Sequence, residues 1–261
     1  MSRLSASRYL SAIESESARF REVLADADPA APVPTCPAWT ALDLANHLAE
    51  TQAHWAWVVG NRPKNPEERP ETGPSPTSYA DALTAFDEAS SGLVAALRDA
   101  DPADPAWTWS KEQTVGFILR RQAHEALIHR LDAELTAGAV TDLDAVLATD
   151  GVLEALEWML GGTPGWASST PDGPVGRLAT TDTGTSWLVQ VGHWSGTSPN
   201  TGKTYTDEQM LLLVDAGEPA FEIAGTAADL DAWIWNRPPR GEISRAGDTA
   251  AFEAVIAAGV Q

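Results

Sequence analysis

Residues 124–134 read HEALIHRLDAE, two histidines and three acids within eleven positions of a helical pattern. The H-E-x-x-H zinc-protease signature lies close by, but here one more residue separates the histidines. At 100° per residue, His124 and His129 diverge by about 140° and cannot readily share an ion. Glu125 and His129, four apart, share a helix face with Cβ atoms about 6 Å apart, close enough to hold one ion together. The protease reading therefore fails on geometry, and E-x-x-x-H becomes the candidate unit.

Upstream, Leu44, His47, Leu48, Thr51, Trp55 and Val58 recur at intervals of three and four. That spacing turns His47 toward the interior, where a lone histidine is ordinarily a core residue. Facing Glu125 and His129, it would complete a set of two imidazoles and a carboxylate. Such a set leaves a fourth position open, the catalytic rather than the structural pattern for zinc. The plainer alternative is a solvated Glu–His pair that modestly stabilises its helix. Asp132, on the same stripe one turn beyond His129, is either an acceptor that orients a ligand or a surface acid. His124 falls nearer the apolar face of Phe117, Ile128, Leu131 and Leu135, where packing is its expected role. His54 lies two turns from His47 and could edge the site. His193 sits in a strand-like segment with no partner evident from sequence. Cys36 lies just before a helix start, which could lower its pKa. No histidine is placed to activate it, so packing is the simpler role.

Around these residues the first 160 positions read as helices. Apolar periodicity covers 5–27 with Leu10, Ile13, Phe20, Val23 and Leu24. PAAPVPTCPAW (29–39) breaks the chain, and Thr40 with Asp43 forms a capping-box signal for a helix from Ala41 to about Val59. NRPKNPEERPETGPSPTS (61–78) and DADPADPAWTWS (99–110) read as loops on either side of a third helix, Tyr79 to Arg98. The fourth runs from Val115 to Ala137, and an amphipathic segment, Leu143 to Leu160, closes this half.

After GGTPGW (161–166) strand patterns appear at VGRLATT, SWLVQVGHW, MLLLVDA and AFEIAG. SGTSPNTGKTYTDEQ (195–209) is turn-rich and reads as a loop excursion. A short helix at 226–236, a strand at RPPRGEI (237–243) and a closing helix from Thr249 to Ala258 follow. The expected fold class is α plus α+β, with a four-helix bundle over residues 1–163 and a smaller α+β domain over 164–261.

Composition narrows the function classes. The 261 residues carry 37 acids against 17 bases, a net charge of −20 that phosphate backbones and anionic membranes would repel. With 43% apolar residues the chain can bury a large core. One cysteine, no apolar leader and no long apolar run make a cytoplasmic protein the expectation, without nucleic-acid or membrane partners. The eleven tryptophans either fill the core and its edges or line a pocket.

Three blocks carry a resemblance. CPAWTALDLANHLAE (36–50) resembles the C-P-G-W-T-x-x-D-L-x-x-H-L opening of the mycothiol-dependent maleylpyruvate isomerase-like proteins, part of the wider DinB-like group of metal-binding four-helix bundles. RRQAHEALIHRLDAE (120–134) is similar to that family's A-H-E-x-x-x-H-R-x-D-A stretch. IAGTAADLDAWIWNRPP (223–239) resembles its G-x-x-x-D-L-x-x-W-L-W-G-R segment, with Asn236 where glycine is usual.

The resemblance implies that His47, Glu125 and His129 bind a divalent metal, usually zinc, in a DinB-like bundle followed by a sterol-carrier-like α+β domain. It implies mycothiol as the thiol cosubstrate, deprotonated at the metal because the thiolate is the nucleophile. The thiolate adds to a cis double bond, the resulting single bond rotates, and elimination returns the trans isomer. An arginine of the second domain, here Arg237 with Arg240 as the nearby alternative, would grip a substrate carboxylate. The leading expectation is a metal-dependent isomerase or thiol transferase acting on a small electrophile, as a monomer or weak homo-oligomer. A non-catalytic metal-binding or regulatory module, or a thiol-independent metal-assisted hydrolase, are the alternatives.

Overall fold

Ser5, Thr40, Ser78 and Thr114 each accept a backbone N–H from the residue three positions on, and each begins a helix. These are α1 (Ala6–Leu24), α2 (Ala41–Asn61), α3 (Tyr79–Asp99) and α4 (Val115–Ala137). The computed structural model describes residues 3–65, 68–199 and 201–259. The capping box read from Thr40 and Asp43 is present in full, with the Asp43 carboxylate accepting the Thr40 N–H at 2.8 Å. Gly138, in the left-handed conformation at φ 70°, ends α4.

The chain divides into two compact units, Leu4–Asp142 and a second that begins at Leu143 and takes in Arg3. In the first, α1 to α4 bury Phe20, Leu24, Leu44, Leu48 and Phe86 between them. α4 is unlike an ordinary amphipathic helix. Every residue from Phe117 to Glu134 is buried except Glu125, charged side chains included. Burying such groups is tolerable only when they are paired, and pairs are present. Arg130 Nε and Nη1 donate to Glu16 and Glu134 at 2.7 and 2.8 Å, and Arg121 Nη2 donates to Glu125 at 2.8 Å.

The second unit opens with α5 (Ala145–Glu154), capped by Asp144 and continued by a π-helical turn, Ala155–Met159. Five strands follow: β1 (Ala167–Thr180), β2 (Ser186–Thr197), β3 (Thr204–Val214), β4 (Phe221–Gly225) and β5 (Ser244–Gly247). They form one sheet in the order β3-β2-β1-β4-β5, antiparallel except for the parallel β1–β4 pair. At that parallel pairing Gly176 lies opposite Phe221, whose ring would come within 2.0 Å of any Cβ at 176. Two helices, α6 (Ala227–Ile234) and α7 (Ala250–Ala258), complete the unit. Val152 and Leu156 join Leu178, Val189, Leu211, Ile223, Leu230 and Phe252 in one core.

Three differences from the sequence reading have physical causes. The units part at Asp142/Leu143 rather than near 163, because the apolar face of the Leu143–Leu160 segment belongs to the sheet's core. SGTSPNTGKTYTDEQ is not a loop excursion: β2 runs on to Thr197 and β3 resumes at Thr204. Pairing continues from His193 opposite Gln209 to Thr197 opposite Thr204, and Trp166, Trp194 and Tyr205 cluster there with ring centroids 5.0–6.0 Å apart. RPPRGEI is not a strand, and β5 lies beyond it. Pro238 and Pro239 have no N–H to give a ladder, and the Arg240 and Gly241 N–H groups donate to Asp229 Oδ1 at 2.8 Å instead.

Among the described residues, no helix is long and apolar enough to cross a membrane.

Candidate metal centre

α2 and α4 bring His47, Glu125 and His129 together. His129 Nε2 lies 3.1 Å from His47 Nε2 and 3.2 Å from Glu125 Oε1, and His47 Nε2 is 3.5 Å from the same oxygen. Among the described residues this is the set of histidine and acid donors that could hold a metal ion. Four donors around a tetrahedral ion at about 2.0–2.1 Å sit about 3.3 Å from one another. The observed edges fall on either side of that value.

The donors' chemistry points the same way. His129 Nδ1 lies 2.9 Å from Asp132 Oδ2, so Nδ1 carries a proton and Nε2 presents its lone pair. That lone pair faces a carboxylate oxygen and a second imidazole nitrogen. Acceptors converging on one point need a cation between them, either a proton or a metal. In the ion-free arrangement the proton takes this role. Burial pushes the His129 pKa down, but the Asp132 and Glu125 contacts outweigh it and raise the pKa to about 9. Burial likewise pushes Glu125 up, yet Arg121, His129 and His47 hold its carboxyl well below the usual range.

A group whose pKa rises on folding stabilises the protein below its unfolded value and loses that contribution as pH climbs through the folded one. The Tm of chelator-treated protein is therefore expected to fall between pH 6.5 and about 9 relative to a His129→Gln variant. A wild-type-minus-variant difference that stays flat across that window in thermal melts would contradict this.

The surrounding residues orient the three donors. Asp132, fully buried, also accepts the Thr35 hydroxyl at Oδ1, 2.6 Å away, so neither of its oxygens is idle. It is thus an orienting acceptor and not a surface acid. Thr35 and Trp39 arrive on the proline-rich segment, which is stitched into a turn by Val33 N–H to Trp39 O and Trp39 N–H to Cys36 O. The Trp39 ring packs 4.6 Å from His47 and 6.2 Å from His129. Thr35, Trp39 and Arg121 escaped sequence reasoning, although Arg121 stands one turn before Glu125, a spacing that announces an i,i+4 ion pair.

The remaining candidates lie elsewhere. His124 is buried edge-on to Tyr9, and Cys36 packs on the bundle core. His54 meets Trp55, Trp107 and Arg69. His193 does have a partner, Asp172, across the β1–β2 pair at 2.9 Å. In the second unit, Arg237 follows α6, with its N–H on Ala232 O and its Nη1 on Trp235 O at 2.6 Å. Arg240 is exposed in the same loop.

A helical bundle with a two-histidine, one-carboxylate centre, followed by a mixed-sheet unit, defines the class. Residues 10–134, the helical part of the chain, match the family model of the mycothiol maleylpyruvate isomerase N-terminal domain. Two solved structures share the fold, the mycothiol-dependent maleylpyruvate isomerase and a histidine-to-alanine mutant of it. Each aligns over 94% of this chain and 95% of its own, with a TM-score of 0.59 and 15% identity. No curated protein sequence matches the chain.

Proposed function

We propose that this is a cytoplasmic, metal-dependent enzyme that uses a low-molecular-weight thiol, mycothiol, to isomerise or conjugate a small electrophilic substrate. The observation that carries the proposal is the convergence of His47 Nε2, His129 Nε2 and Glu125 Oε1 on one point within 3.1–3.5 Å of each other. The family match of the helical part supports the thiol.

The donor set, two imidazoles and one carboxylate with a position left for a ligand, suits zinc. A divalent ion there would supply Lewis acidity that makes a bound thiol available as its thiolate at neutral pH. The protein's own residues do the rest. Asp132 fixes the proton on His129 Nδ1 and so keeps Nε2 available as a donor. Thr35 holds Asp132, and Arg121 keeps Glu125 ionised. Trp39 packs an apolar ring against the imidazoles. Arg237, in the α6–β5 loop, is the proposed grip for a substrate carboxylate, where a planar two-point donor is favoured.

The test is a calorimetric titration of mycothiol into zinc-loaded protein, chelated protein and His47→Ala. Binding is expected to the loaded wild type alone. Equal binding to all three would remove the metal from the account. Turnover of a hydrolysable substrate without any thiol would replace it with hydrolysis.

A further inference from the structure

Glu125 is held by both of its oxygens, and the two are not equivalent. Oε1 faces His47 and His129, while Oε2 accepts Arg121 Nη2 at 2.8 Å from one turn back on α4. The Arg121 side chain is 6% exposed and Glu125's is 19% exposed, so water competes weakly for this bond. We infer that Arg121 is a positioning residue that confines Glu125 to one-oxygen coordination and thereby sets the coordination number of the metal. The inference rests on the proposed metal site.

The physical argument concerns where Oε2 goes when its donor is removed. A carboxylate oxygen left unpaired in a buried site costs the full desolvation of that group. A short rotation would let it satisfy itself on the ion already bound to Oε1, and carboxylates chelate divalent ions readily in this way. Glu125 would then occupy the position that an exogenous ligand needs. The guanidinium prevents this by holding Oε2 in a charge-assisted bond, a stronger type than a neutral one. Its positive charge also draws electron density from the carboxylate, leaving the ion more electrophilic toward an anionic ligand. Lysine offers a compact point charge rather than a planar fork, so Arg121→Lys should hold Oε2 less tightly.

Cobalt(II) reads coordination number directly, because its visible absorption is strong in four-coordinate sites and falls several-fold as coordination rises. The cobalt-substituted wild type is expected to show the strong spectrum. Arg121→Met, which keeps an apolar stem but has no donor, is expected to bind one cobalt per chain with a several-fold weaker spectrum. Arg121→Lys should fall between the two. Should the methionine variant fail to fold, Arg121→Gln, with one short amide donor, carries the same expectation of a weakened spectrum. Variants that bind one cobalt per chain with the wild-type spectrum overturn the inference and leave the metal site standing. A wild type that takes up no cobalt overturns the metal site itself, and the inference with it.

Discussion

Replacing His129 with alanine is expected to reduce metal affinity by more than about 100-fold, since even partners outside the ligand set are worth about 10–100-fold. His129 contacts every other member of the site: His47 and Glu125 through Nε2 and Asp132 through Nδ1. Its loss leaves Glu125 and His47 on separate helices with no nitrogen between them. It also leaves Asp132, fully buried, with one oxygen deprived of its donor. Metal analysis after dialysis against a weak chelator checks the outcome, with circular dichroism to confirm that the bundle remains folded. His124→Ala makes the contrast. One residue before Glu125 in the sequence, it packs on Tyr9 and should leave metal content unchanged.

The largest effect on stability is expected at Glu134. It is fully buried and accepts Arg130 Nη1 and Arg19 Nε at 2.8 Å, together with the Thr141 N–H and hydroxyl at 2.9 and 2.8 Å. Glu134→Ala removes the acceptor common to all four donors. Breaking a buried pair from one side costs about 3–5 kcal/mol, because the surviving charge stays buried. Arg130 keeps Glu16, which places the expected loss near the lower end of that range. Burial raises the Glu134 pKa, but the Thr141, Arg19 and Arg130 contacts outweigh it and depress the value below 4.5. A depressed carboxylate contributes stability above its unfolded pKa and loses it as pH falls through the folded one. Wild type and Glu134→Ala should therefore converge in urea midpoint as pH drops below about 4.5. A constant gap between them would show that lost packing, not charge, is responsible.

The sequence reading was most secure where a local pattern decides the structure. Thr40 and Asp43 start α2 by a bond between neighbours, and Thr114 and Gly138 bound α4 at Val115 and Ala137 in the same local way. Glu125 and His129 were paired by the same local geometry, four residues apart on one face. What could not be read depends on partners distant in the chain. The local pattern leaves Asp132 equally suited to the surface because its second donor, Thr35, is 97 residues away. The partner of His193 is not legible in the sequence because strand register, which sets Asp172 near it, is a tertiary property. The Leu143–Leu160 segment has the helical period of the bundle yet packs with the sheet, since amphipathicity says that a face is buried and not what buries it. RPPRGEI has apolar and turn residues in a plausible order, but Asp229 captures its N–H groups before a ladder can.

The central claim is that His47, Glu125 and His129 hold one metal ion whose open position takes a thiol. X-ray absorption at the zinc edge, on protein loaded with zinc and titrated with mycothiol, tests it most directly. The account predicts nitrogen and oxygen neighbours at about 2.0–2.2 Å before the thiol is added, and one sulfur at about 2.3 Å afterward. A spectrum unchanged by mycothiol, or a protein that retains no zinc, would contradict it.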